Sequence, residues 1–322
     1  MRVDGVTFIV EWENAKLSEL DRARRMLAQL DTQARDLAAK RGFTADLLVL
    51  FDENAIDPAI PRTAVSDNVD ESSWPGRIGV IGVDGLNYYQ QKNRGAELAE
   101  QPFIIFVDSD IIPDAGWLEA LVEGIEEKDA EIVGGEAYLS RDTTEERIWS
   151  MFWLFGTKPF PAQVYPKGRF YANNVIFRRD TFLRYRFPEA EGHRGHCAAL
   201  ARSMRDDGIV VYRQGRAAVS HPPPLGIDHG VTRALSQGHA SITRARQKKG
   251  FLRLNPVASI LRLLESLLLM LVKMARRLLA SPSDIVILPL ALLAGTAYYV
   301  LVFVGEIMSL LFPRRTEIRY RI

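Results

Sequence analysis

Gln101-Pro102-Phe103-Ile104-Ile105-Phe106-Val107-Asp108-Ser109-Asp110 decides how this chain is read. A proline followed by five apolar residues reads as a fully buried strand. The strand ends in two carboxylates one residue apart. Side chains at i and i+2 of an extended segment lie on the same side, so Asp108 and Asp110 can face one ligand together. In open parallel sheets, ligands collect at the carboxyl ends of strands. A divalent cation such as Mg²⁺ or Mn²⁺ takes oxygen ligands, typically one or two carboxylates plus substrate phosphates. The pair therefore reads as a metal–diphosphate site. The plainer alternative is an Asp-rich turn capping the helix that Pro113-Asp114-Ala115-Gly116-Trp117 opens.

Upstream lie three further apolar runs: Val6–Val10, ending near Glu11, Glu13 and Asn14; Asp46–Phe51, ending in Asp52-Glu53-Asn54; and Ile78–Val83. Leucines and alanines at three- and four-residue spacing predict a helix over 16–41, stopped by Gly42. A second helix is expected over 86–100. Residues 55–77, with three prolines and no period, read as a long loop. Strand, helix and strand in this order make a parallel, nucleotide-binding type of sheet. No glycine-rich phosphate loop is present, because Gly79-x-x-Gly82-x-x-Gly85 lies in and just after a strand. A metal on Asp108 and Asp110 would neutralise a diphosphate instead.

Downstream, a helix is expected over 117–128 and strands over 131–138 and 170–177. Shorter strands are expected over 209–212 and 217–221, the last ending in His221 before three prolines. Thr143-x-x-Glu146 is a capping box ahead of Trp149, Phe152, Trp153 and Phe155, which read as packing residues or as a membrane-near or acceptor face.

The 322 residues carry a net charge of only +1. Residues 230–322, however, hold 14 Lys and Arg against 4 Asp and Glu, leaving residues 1–229 with 27 against 36. A basic end points to anionic lipid or nucleic acid, and the apolar sequence around these charges decides for lipid. The single cysteine, Cys197, excludes an internal disulfide and a cysteine zinc cluster, which fits a reducing compartment. Met1–Gly5 has no leader-like apolar core.

Over residues 257–279 the polar residues Arg262, Glu265, Ser266, Lys273, Arg276 and Arg277 form one helical stripe, the pattern of an interfacial helix. Ser281-Pro282 breaks the helix. Ile285–Phe312 is 28 residues with one charge, Glu306, long enough to cross a bilayer core that needs about 20. Either simple topology leaves a basic cluster outside the cytoplasm, against the positive-inside tendency. A re-entrant hairpin around Pro289 or Gly295 would remove the conflict.

Several pieces in order resemble the family 2 glycosyltransferases, of a membrane-anchored bacterial type. They are Glu13-Asn14 and Asp52 at strand ends, Lys92-Asn93-x-Gly95, Asp108-Ser109-Asp110 and Pro113-x-x-x-Trp117-Leu118. Asn173-Asn174-x-x-x-Arg178-Arg179, Phe187-Pro188-Glu189 and the strand ending in His221 complete the set. The resemblance implies a GT-A fold, an α/β mixed sheet flanked by helices, over residues 1–250. Residues 251–322 form a membrane-associated helical segment. It implies a UDP- or GDP-linked sugar as donor, with Mn²⁺ or Mg²⁺, and a lipid or glycan acceptor at the cytoplasmic face of the membrane; no nucleic acid is expected. Glu13, Asn14, Asp52, Asn93 and Asp108 would contact the donor, and Asp108, Asp110 and His221 the metal. The family's adjacent Glu-Asp pair is missing after Phe187-Pro188-Glu189. Glu191, Glu189 and His193 are therefore the candidates for the catalytic base, with His196 behind them and Glu191 favoured. The missing pair also leaves open a non-catalytic, nucleotide-sugar-binding or scaffold subunit of a membrane polysaccharide assembly.

Overall fold

The apolar runs become the strands of one nine-stranded mixed sheet. The computed structural model describes residues 1–17, 20–188, 195–224, 226–247, 254–313 and 316. Strands β1 (Gly5–Glu11), β2 (Thr44–Asp52), β3 (Ile78–Val83) and β4 (Phe103–Asp108) run parallel in the order β3-β2-β1-β4. Buried on both faces, β1 and β4 are apolar without alternation, as central parallel strands must be. β1 pairs with β2 on one side and β4 on the other, so the chain reverses direction of winding between β1 and β4. This is the switch point at which such sheets open a crevice. Beyond β4, strand β8 (Asn174–Arg178) runs antiparallel, with Val107 opposite Asn174. β6 (Ile132–Leu139), β9 (Tyr212–His221) and the two-residue β5 (Ile112–Pro113) continue the sheet, and β7 (Val164–Pro166) pairs with β9.

Helices α1 (Glu13–Leu17) and α2 (Leu20–Arg41) occupy the span expected as one helix. Helix α4 (Tyr88–Leu98) follows an Asn87–Gln90 capping box, and α5 (Trp117–Lys128) matches its expected bounds. Residues 55–77 are not a loop throughout: Ala59–Asn68 is helix α3. Pro58 and Pro61 lie at its start, where the missing N–H would have no partner within the helix anyway. The strand expected over 217–221 is longer, β9 running from Tyr212 to His221, whereas residues 209–211, expected as strand, lie outside it. Its first half is polar, and Arg213 there is buried against Glu136.

Gly95 explains itself by packing. A Cβ there would lie 2.4 Å from Ile9 Cγ2 and 3.1 Å from Leu50 Cδ1, so only glycine lets α4 lie against β1 and β2. Gly95→Val is expected to cost about 1–3 kcal/mol by overpacking, read as a lower midpoint of denaturant unfolding with unchanged slope. A midpoint equal to that of the parent would show that α4 can shift away from the sheet.

The chain forms two compact units. The first comprises Met1–Tyr138, Lys158–Ala190 and His196–His221, and holds the sheet with helices α7 (Arg179–Tyr185) and α8 (His196–Asp206). The second comprises Leu139–Thr157, Glu191–Gly195 and Pro222–Ile322. It is helical: α6 (Thr144–Phe152), α9 (Gly226–Gln247), α10 (Pro256–Ala280) and α11 (Leu288–Leu311). Helix α9, which precedes the boundary expected at residue 250, falls in this second unit. Helix α9 belongs with the C-terminal helices because Gly238 and Gly305 let it approach α11 closely: a Cβ on Gly238 would be 2.1 Å from Val302 O. The expected capping box opens α6, whose Trp149, Phe152 and Trp153 pack around Tyr298 of α11.

Candidate active site

The carboxyl ends of β1 and β4 bring Glu11 and Asp108 side by side in register. Both are buried, Glu11 completely. Glu11 is held by its own chain: Asn14 Nδ2 donates to Oε1 at 2.5 Å and the Glu13 amide to Oε2 at 3.1 Å. Burial, then the charge of Asp108, pushes Glu11 well above the ordinary carboxylate range, while Lys92 pulls it back. Lys92, on α4 and fully buried, places Nζ 2.8 Å from Asp108 Oδ1. Tyr88, one turn earlier on the same helix face, donates its hydroxyl to that oxygen at 2.7 Å. Burial, then the charge of Asp108, pushes the Tyr88 phenol well above its ordinary value, so it is a donor at any working pH.

The loop after β4 is fixed by contacts that do not use its carboxylates. Ser109 Oγ accepts from the Ala15 amide at 2.9 Å. Arg22, on α2, donates Nε to Asp110 O at 2.9 Å and Nη2 to Ser220 O and Oγ at 3.1 Å each. That clamp joins the Asp110 loop to the end of β9. His221 follows Ser220, and its Nε2 lies 3.7 Å from Asp110 Oδ2. Asp110, just past the end of β4, and His221, at the end of β9, are 111 positions apart and meet at one place.

The residues named from the sequence divide accordingly. Asp110 and His221 are brought together. Asp108 lies beside them, but its Oδ1 is engaged by Lys92 and Tyr88. Among the described residues, no three His, Cys, Asp or Glu side chains converge as a complete metal-binding group. The donor set present still fits a divalent cation: carboxylate oxygen and imidazole from the protein, with remaining positions left to phosphate and water. Glu13 accepts from Gln91 Nε2 at 2.7 Å, and Asp52 Oδ1 accepts from the amides of Asn54 and Gly85 at 3.1 and 3.3 Å. Both remain at strand ends. Asn93 is occupied by the backbone of Phe187, donating to its carbonyl at 2.9 Å and accepting from its amide at 3.0 Å. Asn174 is likewise a structural hub, bonded to Trp117 Nε1, Glu136 O and Ala217 O. Asn173, beside it, is buried, and among the described residues its Oδ1 has no hydrogen-bond partner.

Glu189, Glu191 and His193 lie outside the described residues. His196 is described: it stacks on Tyr89 with centroids 4.2 Å apart, and its Nδ1 lies 2.9 Å from Pro188 O. Burial raises the Cys197 thiol, in keeping with a packing role. Lys92, Tyr88 and Arg22 were given no role from the sequence. Spacing offered one clue, since Tyr88 and Lys92 are four apart on a helix that faces β4.

Residues 69–207, which contain the Lys92 helix and Asp108–Asp110, match the model described as Glycosyl transferase family 2. No curated protein matches the chain. Among solved structures, the chain is similar to the mannosyltransferase PcManGT from Pyrobaculum calidifontis in complex with GDP-Man and Mn²⁺. The identity is 12%, the TM-score 0.53, and the match covers 98% of this chain and 88% of that one. GalNAc-T7, solved with UDP, GalNAc and Mn²⁺, matches at 11% identity and TM-score 0.48, over 70% of this chain and 44% of that one. This chain thus spans less than half the length of GalNAc-T7. The mannosyltransferase likeness bears on the fold, a mixed sheet flanked by helices of GT-A type. The strand-end carboxylates lie inside the matched segment, so residues 69–207 are similar to a glycosyltransferase domain of family 2.

Proposed function

We propose that the protein is a metal-dependent glycosyltransferase. It moves a sugar from a UDP- or GDP-linked donor to a lipid-linked or glycan acceptor at the cytoplasmic face of the membrane, with inversion. The observation that carries the reading is the meeting of Asp110 and His221 beside Asp108 at the sheet's switch point, with both aspartates inside the segment similar to a family 2 glycosyltransferase domain. The mannosyltransferase to which this chain is similar was solved with GDP-Man and Mn²⁺, which supports a nucleotide-sugar donor and that metal.

Asp110 and His221 would hold the cation. A bound Mn²⁺ or Mg²⁺ supplies positive charge to the leaving diphosphate. Glu13, Asn14 and Asp52, at the ends of β1 and β2, would face the nucleoside. Lys92 and Tyr88 hold Asp108 as an oriented carboxylate, and Arg22 holds the Asp110 loop against β9. The acceptor hydroxyl must lose a proton as its oxygen attacks the anomeric carbon in line with the departing diphosphate. Glu191 is our candidate for that base. Glu191→Gln is expected to lower kcat by at least about 100-fold with donor affinity nearly unchanged. A comparable loss seen only on substituting Glu189 or His193 would move the role to that residue.

The test of the whole reading is nucleotide release from a panel of UDP- and GDP-sugars, with and without Mn²⁺, in the presence of membrane lipids and glycans. Mn²⁺-dependent release supports it. Tight donor binding with no release across the panel would favour the non-catalytic subunit, which the missing Glu-Asp pair favours.

A further inference from the structure

Helix α10 turns Arg262, Lys273 and Arg277 inward and most of its leucines outward, with Glu265 and Arg276 exposed. Arg262 donates to Glu306 of α11, Nε to Oε2 at 2.9 Å and Nη2 to Oε2 at 2.7 Å. Lys273 Nζ donates to Trp153 O and Arg277 Nη2 to Phe155 O, both at 2.6 Å. Arg277 and Glu306 are buried, whereas Leu261, Leu264, Leu268 and Leu271 are exposed. Helix α11, packed on α10, exposes a second stripe of Leu290, Leu293, Val300, Val304 and Leu311. A soluble surface does not carry two adjoining apolar stripes of this length.

Among the described residues, helix α11 alone has the length and composition of a span, but its other face argues against one. It lies along α9, which carries Arg233, Arg244 and Arg246. Tyr298 donates to Gln237 Oε1 at 2.8 Å, His239 Nδ1 lies 3.0 Å from Ser309 Oγ, and Arg246 donates to Ser309 O at 3.0 Å. The stretch from Tyr298 to Ser309 covers about 16 Å at the helical rise, half of a hydrocarbon core of about 30 Å. Just before α11, Asp284 is buried between Arg141 and Arg147, with Arg147 Nη2 2.8 Å away. A spanning α11 would carry one of these polar flanks into hydrocarbon, where charged side chains are costly.

We infer that α10 and α11 lie in the plane of an anionic phospholipid surface, immersing their exposed stripes in one leaflet without crossing it. Arg276, exposed between Val272 and Leu279 on α10, and the +10 balance of residues 230–322 favour anionic headgroups over a neutral surface or a second copy of the chain. The inference deepens the membrane placement proposed above. It removes the topology conflict of the sequence, since in-plane helices leave every basic cluster on one side.

The test uses the full chain in a Cys197→Ala background, with one nitroxide at Leu261→Cys, Leu271→Cys, Leu290→Cys, Val300→Cys or Leu311→Cys. The protein is bound to phosphatidylcholine–phosphatidylglycerol vesicles, and depth is read from power saturation with oxygen and a nickel chelate. All five labels are expected at one shallow depth, about 5–10 Å, with a label at Thr232→Cys on α9 in water. A depth that peaks at Val300 near the bilayer centre, with Leu290 and Leu311 shallow, would overturn the in-plane arrangement while leaving membrane attachment standing. Labels already shielded from the chelate without vesicles, and unchanged by them, would overturn it in favour of a second copy on the stripes. Failure to float with the vesicles would overturn both the arrangement and the membrane placement. Nucleotide release in the same preparation reports separately on catalysis.

Discussion

Asp110→Asn is expected to abolish metal-dependent binding of a nucleoside diphosphate and leave the fold intact. The loop that carries Asp110 is held by groups the substitution does not touch: the Arg22 bond to the Asp110 carbonyl and the Ala15 bond to Ser109 Oγ. Asparagine keeps the shape of the side chain and removes its charge. A hard cation bound by few protein ligands depends on each carboxylate it has. Even second-shell partners of a metal cost 10–100-fold when removed, so loss of this ligand is expected to exceed about 100-fold. Calorimetric titration of Mn²⁺ with UDP or GDP measures it, alongside the unfolding midpoint. Unchanged affinity would remove Asp110 from the metal. Asp108→Asn makes a contrast: it withdraws the partner of buried Lys92, so it is expected to lower stability as well as binding.

That contrast marks the line between what the sequence shows and what it hides. The strands β1, β2, β3 and β4 were legible because central parallel strands are buried on both faces and read as unbroken apolar runs. The carboxylate pair was legible because it ends such a run. Helix α3 was not, since prolines that punctuate a loop are equally at home in a helix's first turn. The first half of strand β9 was hidden because Arg213, Gln214 and Arg216 make it polar, and the partner that makes buried Arg213 tolerable, Glu136, is 77 positions away. His221 could be named from its place after β9, yet only the pairing of Ile112 with Ser220 brings that strand end to Asp110. The stripe on α10 was visible as a period of charges. Its inward direction was not, because periodicity separates two faces and does not say what covers either. Lys92 shows the same limit at the site itself: its residue type was plain, and its partner was decided by tertiary packing.

Lys92→Met is expected to destabilise the domain by about 3–5 kcal/mol, the usual cost of removing one member of a buried ion pair. Methionine keeps most of the apolar stem, so the volume lost is small, but it loses the ammonium that sits over the Tyr88 and Phe106 rings, so the charge dominates. Without the ammonium, Asp108 keeps only the Tyr88 hydroxyl on Oδ1, with buried Glu11 opposite it in register and Asp110 two residues on. Three carboxyl groups would then share one corner of the sheet with no buried cation among them. Like charges held together in a desolvated place repel strongly. A divalent cation binding only the folded state would relieve part of that repulsion, and binding to the native state raises stability by mass action. Mn²⁺ is therefore expected to raise the thermal midpoint of Lys92→Met by more than it raises that of the parent protein. Denaturant unfolding with and without Mn²⁺ measures both effects. A variant as stable as the parent would show that Asp108 does not depend on Lys92 for its charge. A destabilised variant that Mn²⁺ does not help would place the cation away from Asp108, with Asp110 and His221 alone. That second result would separate the work of the two aspartates: Asp110 would face the ligand, and Asp108, through Lys92, would hold the end of the strand on which Asp110 is presented.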